Sequence, residues 1–149
     1  MTRDRTPAQW YCLLAGAALL LAGLLGFLAD TSWGTGSDVE GSDLLVFEVN
    51  GWHNVVHLAS GVLLLVAASR RTSAKTVALL FGITYGAVAV WGLLSDTVLG
   101  LLPINGPDNA LHLALAAAGI LAALASPRGE ARRADRGSGL GGPRPPNSC

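Results

Sequence analysis

The sequence predicts an all-α integral membrane protein, a four-helix bundle built from two tandem helical hairpins with both termini cytoplasmic. Three observations lead there. Four apolar runs occupy residues 10–29, 51–69, 76–95 and 109–126, each near the ~20 residues that cross a hydrocarbon core of about 30 Å. All ten Lys and Arg residues fall on one side of those runs. And the second and fourth runs open on the same ten-residue pattern, N-G-x-x-N-x-x-H-L-A.

Charge placement sets the topology. Arg3 and Arg5 precede the first run, Arg70, Arg71 and Lys75 lie between the second and third, and Arg128, Arg132, Arg133, Arg136 and Arg144 follow the fourth. The other two loops, 30–50 and 96–108, hold Asp30, Asp38, Glu40, Asp43, Glu48, Asp96 and Asp108 and no basic residue. Short loops rich in Lys and Arg stay cytoplasmic, so the expected location is a bacterial cell membrane, multi-pass, with the lipid bilayer as first partner. Hydrophobic content of 51% against 13% charged residues excludes an ordinary water-surrounded core.

The chain divides into a cytoplasmic N-terminus (1–8), a helical domain (9–126) and a basic tail (127–149). The first run reads as a retained span rather than a cleaved leader. It is too long for a signal peptide, and Phe27 spoils a small-residue cleavage motif ending at Ala29. The longer outer loop carries the flexible stretch 31–37 and then the apolar segment 44–49, too short to span and expected to lie at the interface as a cap. Trp33 and Trp52 suit the outer aromatic belt, and Trp10 and Tyr11 the inner one. Gly82 and Gly86 form a G-x-x-x-G step for close helix approach in lipid. The Gly, Pro, Ser and Arg composition of the tail predicts disorder. Two cysteines, Cys12 and Cys149, make no disulfide framework, and an apolar packing role for Cys12 outweighs palmitoylation.

The repeat is strongest at the outer ends of the second and fourth runs. Residues 50–59 and 105–114 share six of ten identities. The first and third runs align without a gap through Gly16, Gly26, Leu28 and Asp30 against Gly82, Gly92, Leu94 and Asp96. Hairpins duplicated with the same orientation are related by an axis along the membrane normal.

Polar residues within a span need a reason, and here they share one depth. Asn50, Asn54, His57 and Gly61 lie on one helical face, and Asn105, Asn109 and His112 repeat it. His53 precedes His57 by one turn, and Asp108 so precedes His112. An i, i+4 pair can grip one ion, so His53, His57, Asp108 and His112 together are a candidate divalent metal site. His57 and His112 are alternatively candidate axial ligands to a haem. The competing reading makes Asn50, Asn54, Asn105 and Asn109 inter-helix polar contacts and caps, with the histidines packed beside them. Tyr85 and Trp91 read as packing groups.

No phosphate loop, nucleophile elbow or cysteine metal spacing occurs, and the basic residues lack the interleaved aromatics of nucleic-acid surfaces. The leading expectation is a structural or accessory membrane subunit without enzymatic activity, alone, as a homo-oligomer or in a larger membrane complex. The alternative is a protein that binds a metal, haem or small ligand through the duplicated Asn/His motif.

The segments F-E-V-N-G-W-H-N-V-V-H-L-A-S-G (47–61) and L-P-I-N-G-P-D-N-A-L-H-L-A (102–114) resemble a bacterial family of four-span proteins labelled domain of unknown function 4383. The resemblance covers residues 8–126 and implies fold and membrane location, without substrate or cofactor.

Overall fold

A computed structural model describes residues 4–127; the tail expected to be disordered, with Cys149, lies outside them. Each apolar run forms one helix. Helix α1 spans Pro7–Ala29, α2 Gly51–Ala67, α3 Arg71–Gly92 and α4 Gly106–Ala125. Helices α1, α3 and α4 are long and apolar enough to cross a membrane, and α2 is apolar but shorter, at 17 residues. The expected all-α bundle is what forms.

Local chemistry explains where the helices begin. Thr6 caps α1 in a capping box with Gln9, and Pro7 occupies the first turn, where its missing N–H costs nothing. Asn50 caps α2 and Asn105 caps α4, the latter in a capping box with Asp108. Helix α3 begins without a side-chain cap.

The α1–α2 and α3–α4 pairs pack most extensively, and α1 also meets α3 and α4. Their shared core is rich in small residues, including Ala8, Ala15, Ala67, Ala74, Ala78, Ala116 and Ala123, with Tyr11, Leu19, Leu64 and Phe81 filling the gaps. Close backbone approach of this kind drives association where lipid removes the hydrophobic effect between helices. A Cβ on Gly16 would press on the Gly61 carbonyl, and one on Gly82 on the Ala116 carbonyl. Outward-facing Leu14, Leu21, Leu24, Leu63, Leu80, Leu121 and Leu124 are exposed, as a surface in contact with acyl chains requires. Cys12 is fully buried, which accords with packing rather than acylation.

The loops between the helices add a feature that the sequence did not predict. The apolar segment 44–49, expected as a cap, is part of a β-hairpin. Strand β1 (Ser42–Leu44) pairs antiparallel with β2 (Phe47–Val49), and β3 (Thr97–Val98) pairs likewise with β4 (Leu102–Pro103). Leu45 and Leu99 both adopt the left-handed region, at φ 65° and 56°, a conformation uncommon for a residue with a Cβ. Turn signals from Asn or Asp are therefore missing, which hides these hairpins in the sequence. The two hairpins meet through β2 and β4, and Gly36, in the segment before β1, donates its N–H to the Gly100 carbonyl at 2.8 Å.

At the opposite end, side chains tie the helix termini together. Gln9 Nε2 donates to the Ala68 carbonyl at 2.9 Å, and the Ala8 N–H donates to Ser126 Oγ at 2.8 Å. Lys75 Nζ donates to the Ser126 carbonyl, and Arg71 reaches the Asp4 carbonyl. Lys75 thus meets the C-terminal end of α4, where the helix dipole favours a cation.

Candidate functional site

Just beneath the hairpins, the Asn and His residues of the two motifs converge. The asparagines come first because they position everything else. Asn50 Oδ1 accepts from the His53 N–H at 2.9 Å, closing the first turn of α2. Asn105 Oδ1 accepts from the Asp108 N–H at 3.0 Å and does the same for α4. Each amide nitrogen then crosses the molecule. Asn50 Nδ2 donates to the Leu101 carbonyl and Asn105 Nδ2 to the Val46 carbonyl, both at 2.9 Å. One turn deeper, Asn54 Nδ2 donates to the Asp30 carbonyl at 2.9 Å and Asn109 Nδ2 to the Gly92 carbonyl at 2.8 Å. Gly26 and Gly92 seat these two amides, since a Cβ at either would collide with the Oδ1 of Asn54 or Asn109.

With their backbones so held, His53, His57 and His112 point into one cluster. One ring nitrogen from each lies within 4.8 Å of those of the other two. The His53 and His57 rings meet edge to face at 4.4 Å between centroids, and His53 lies 6.2 Å from His112. All three are buried, at 3%, 7% and 5% exposure. The Nδ1 atom of each has no hydrogen-bond partner among the described residues. An unsatisfied buried polar atom costs about 1–3 kcal/mol, so three in one place call for a reason.

Asp108, the fourth candidate, stands apart from that cluster. Its Oδ2 accepts from the Asn105 N–H at 3.1 Å and from the Glu48 N–H at 3.0 Å, locking α4 to β2. It nevertheless lines a cavity of about 200 Å³ together with His57 and His112, so a carboxylate lies beside the imidazoles without joining them.

A second cavity of about 280 Å³ touches all three histidines from the α2–α3 side. Tyr85 lines it, and its ring stands at 89° to His112 with centroids 5.1 Å apart. The Tyr85 hydroxyl is buried and without a partner among the described residues. Sequence reasoning took Tyr85 for a packing group. The missed signal was a hydroxyl within a span, on the face of α3 that also carries Phe81 and Ala78 at helical spacing.

The acidic residues outside the helices have environments of their own. Glu48 is paired across the hairpin with Asp43; burial, then Asp43 and Asp96, push its carboxyl above the usual range. For Asp30, burial acts upward, but hydrogen bonds from Ser32 and Ser42 outweigh it and hold the group below its usual value.

Comparison with known proteins gives one match. A family model described as Domain of unknown function (DUF4383) matches residues 9–125. No curated protein and no solved structure matches the chain.

Proposed function

Because the chain belongs to the family described as domain of unknown function DUF4383, a description that carries no chemistry, we propose its role from the site itself: a membrane-embedded centre for one divalent transition-metal ion, bound by His53, His57 and His112. The observation that carries this reading is the cluster of three buried histidines that can each bring one ring nitrogen within 4.8 Å of the other two, and whose Nδ1 atoms have no partner among the described residues. Tetrahedral bonds of about 2.1 Å place ligand nitrogens roughly 3.4 Å apart, a small inward rotation from the observed spacing. Three imidazoles suit zinc, copper, iron or nickel. All three histidines line the larger cavity, so an ion held by them would have room there for water or a substrate as a further ligand.

A dication in this depth needs compensating charge. Asp108, beside His57 and His112 in the smaller cavity, supplies it without coordinating. Rings this close offer a pocket for a bare ion rather than a slot for a porphyrin plane, which favours the metal over the haem. The fold around the site is read as a duplicated hairpin. Matching contacts support that reading: Asn50 to Leu101 against Asn105 to Val46, and Gly16 on Gly61 against Gly82 on Ala116. Four membrane passes with cytoplasmic termini are supported by the basic residues Arg5, Arg70, Arg71 and Lys75 at one end and the acidic loops at the other. A structural or accessory subunit role, the other function expected from the sequence, has no particular contact to favour it.

The test is metal content and visible absorbance of the full chain purified without a histidine tag, followed by titration with Zn²⁺, Cu²⁺ and Co²⁺. One equivalent of tightly bound ion, lost in His57→Ala and His112→Ala, is expected. A folded protein that carries no ion and takes up none of the three would return the histidines to helix packing.

A further inference from the structure

Two cavities flank the histidine cluster, and comparing them separates side chains that the scaffold demands from side chains it does not. The larger lies between α2 and α3, the smaller between α1 and α4 beneath the β1–β2 hairpin. Carried along the alignments of the two halves, the linings correspond in part. His53 matches Asp108, Ser60 matches Leu115, Thr84 matches Ala18 and Tyr85 matches Leu19. Where the larger cavity has three hydroxyls, the smaller closes with Leu, Ala and Leu. Helix packing in this architecture is therefore satisfied without the hydroxyls. At membrane depth a hydroxyl facing a void has no water to bond; Tyr85 is 6% exposed, and its hydroxyl has no partner of full hydrogen-bond geometry among the described residues and only the Ser60 hydroxyl close by.

The rest of the wall defines what would fit. Tyr85 stacks on Phe81 with centroids 4.0 Å apart and planes 24° from parallel, forming a flat aromatic face. No Lys, Arg, Asp or Glu lines the cavity, so a charged head would lose its hydration without a counter-charge. Val56, Leu63 and Leu80 line it and are themselves exposed, placing its mouth on the apolar outer surface between α2 and α3.

We propose that this cavity binds a planar, uncharged, oxygen-bearing ring on an apolar tail, the chemistry of a membrane quinone. The ring lies against Phe81 and Tyr85, a carbonyl oxygen accepts from the Tyr85 hydroxyl, and the tail leaves past Leu63 and Leu80 into lipid. The site does not depend on an ion at the imidazoles, because the hydroxyls and the aromatic face define it.

The experiment is binding of decylubiquinone to the full chain in mild detergent, by equilibrium dialysis, before and after treatment with a chelator. Saturable one-to-one binding is expected in both samples. Tyr85→Phe preserves the aromatic face and weakens binding about 5- to 10-fold, the loss of one hydrogen bond. The pair Ser60→Leu with Thr84→Ala copies the lining of the smaller cavity and removes saturable binding, while Leu115→Ser leaves it unchanged. Partitioning no different from empty micelles, wild-type affinity in both Tyr85→Phe and the paired variant, or tighter binding of palmitate than of decylubiquinone would each overturn the proposal. Metal content and quinone binding to chelated protein are separate readouts, so either reading can fail alone.

Discussion

Asn50 and Asn105 each complete a hydrogen bond that belongs to the other's half of the molecule. Asn50 caps α2 and donates to Leu101 of the second hairpin, while Asn105 caps α4 and donates to Val46 of the first. Neither outer end is finished until both halves are in place. This reciprocity holds His53 and His57 on α2 against His112 on α4.

Replacing either cap asparagine therefore costs two bonds. Asn50→Ala is expected to lose about 2 kcal/mol, roughly 1 from the cap and 1 from the cross-contact. Asn50→Ser retains a cap acceptor but is too short to reach Leu101, and should lose about half as much. In a double-mutant cycle with Asn105→Ala, the losses should fall short of additive by at least about 0.5 kcal/mol. Thermal unfolding in detergent followed by circular dichroism gives all of these values, and strict additivity would show the two contacts to be independent.

The glycines divide into seats and bystanders. A methyl at Gly26 or Gly92 meets the amide oxygen of Asn54 or Asn109, whereas at Gly86 its nearest neighbour is Ala116 Cβ at 3.7 Å. Gly26→Ala and Gly92→Ala should each destabilise by about 1–3 kcal/mol. Gly86→Ala should be neutral or gain up to about 1 kcal/mol from helix propensity. The same unfolding assay ranks them, and a costly Gly86→Ala would contradict the packing described.

Asp108 and His112 should part company in metal binding. Asp108→Asn keeps an acceptor for the Asn105 and Glu48 N–H groups, so the fold should persist. Its ion stoichiometry should stay at one while affinity weakens about tenfold, the low end for a supporting group outside the coordination sphere. His112→Ala should lose the ion outright. Competition with a chromogenic chelator separates the two, and equal losses would make Asp108 a ligand.

Glu48 should make the hairpin end of the bundle more stable in acid than at neutral pH. Its folded pKa is raised, by burial first and then by Asp43 and Asp96. The associated stability is complete below the unfolded carboxylate value and is lost as pH rises through the folded one. Glu48→Gln should recover up to about 1 kcal/mol at pH 7, the scale of a like-charge cross-strand pair, and gain nothing at pH 3. Unfolding measured at both pH values tests the sign, and a larger gain at pH 3 would contradict it.

Much of this architecture is legible from residue order. The helices follow from uninterrupted apolar runs, and the caps of α2 and α4 from Asn-Gly at their starts. The convergence of His57 with His112 follows from the duplicated spacing. The hairpins were not legible, because their turns place Leu45 and Leu99 at positive φ, a choice that tertiary packing imposes against local preference. Nor was the division of labour between His53 and Asp108. Both stand one turn before a histidine, but the capping box claims Asp108, and only the fold shows His53 left free to join the cluster. Tyr85 was hidden because a tyrosine on an apolar helix looks the same whether its hydroxyl is bonded or not.

The shortness of α2 has a mechanical consequence. Its 17 residues rise about 26 Å, less than the roughly 30 Å of a typical hydrocarbon core, while the 23 residues of α1 beside it exceed that thickness. If α2 crosses the bilayer as the four-pass reading proposes, one flank of the bundle is shorter than the bilayer core and another is long enough to lean. Hydrophobic mismatch of this uneven kind is relieved by tilting the whole body and thinning the lipid on one side, at fractions of a kcal/mol per Å. Arg70 and Arg71, placed directly after the short helix, can reach upward to the headgroups along their aliphatic stems. On that reading the lipid beside α2 is where the bilayer would thin most.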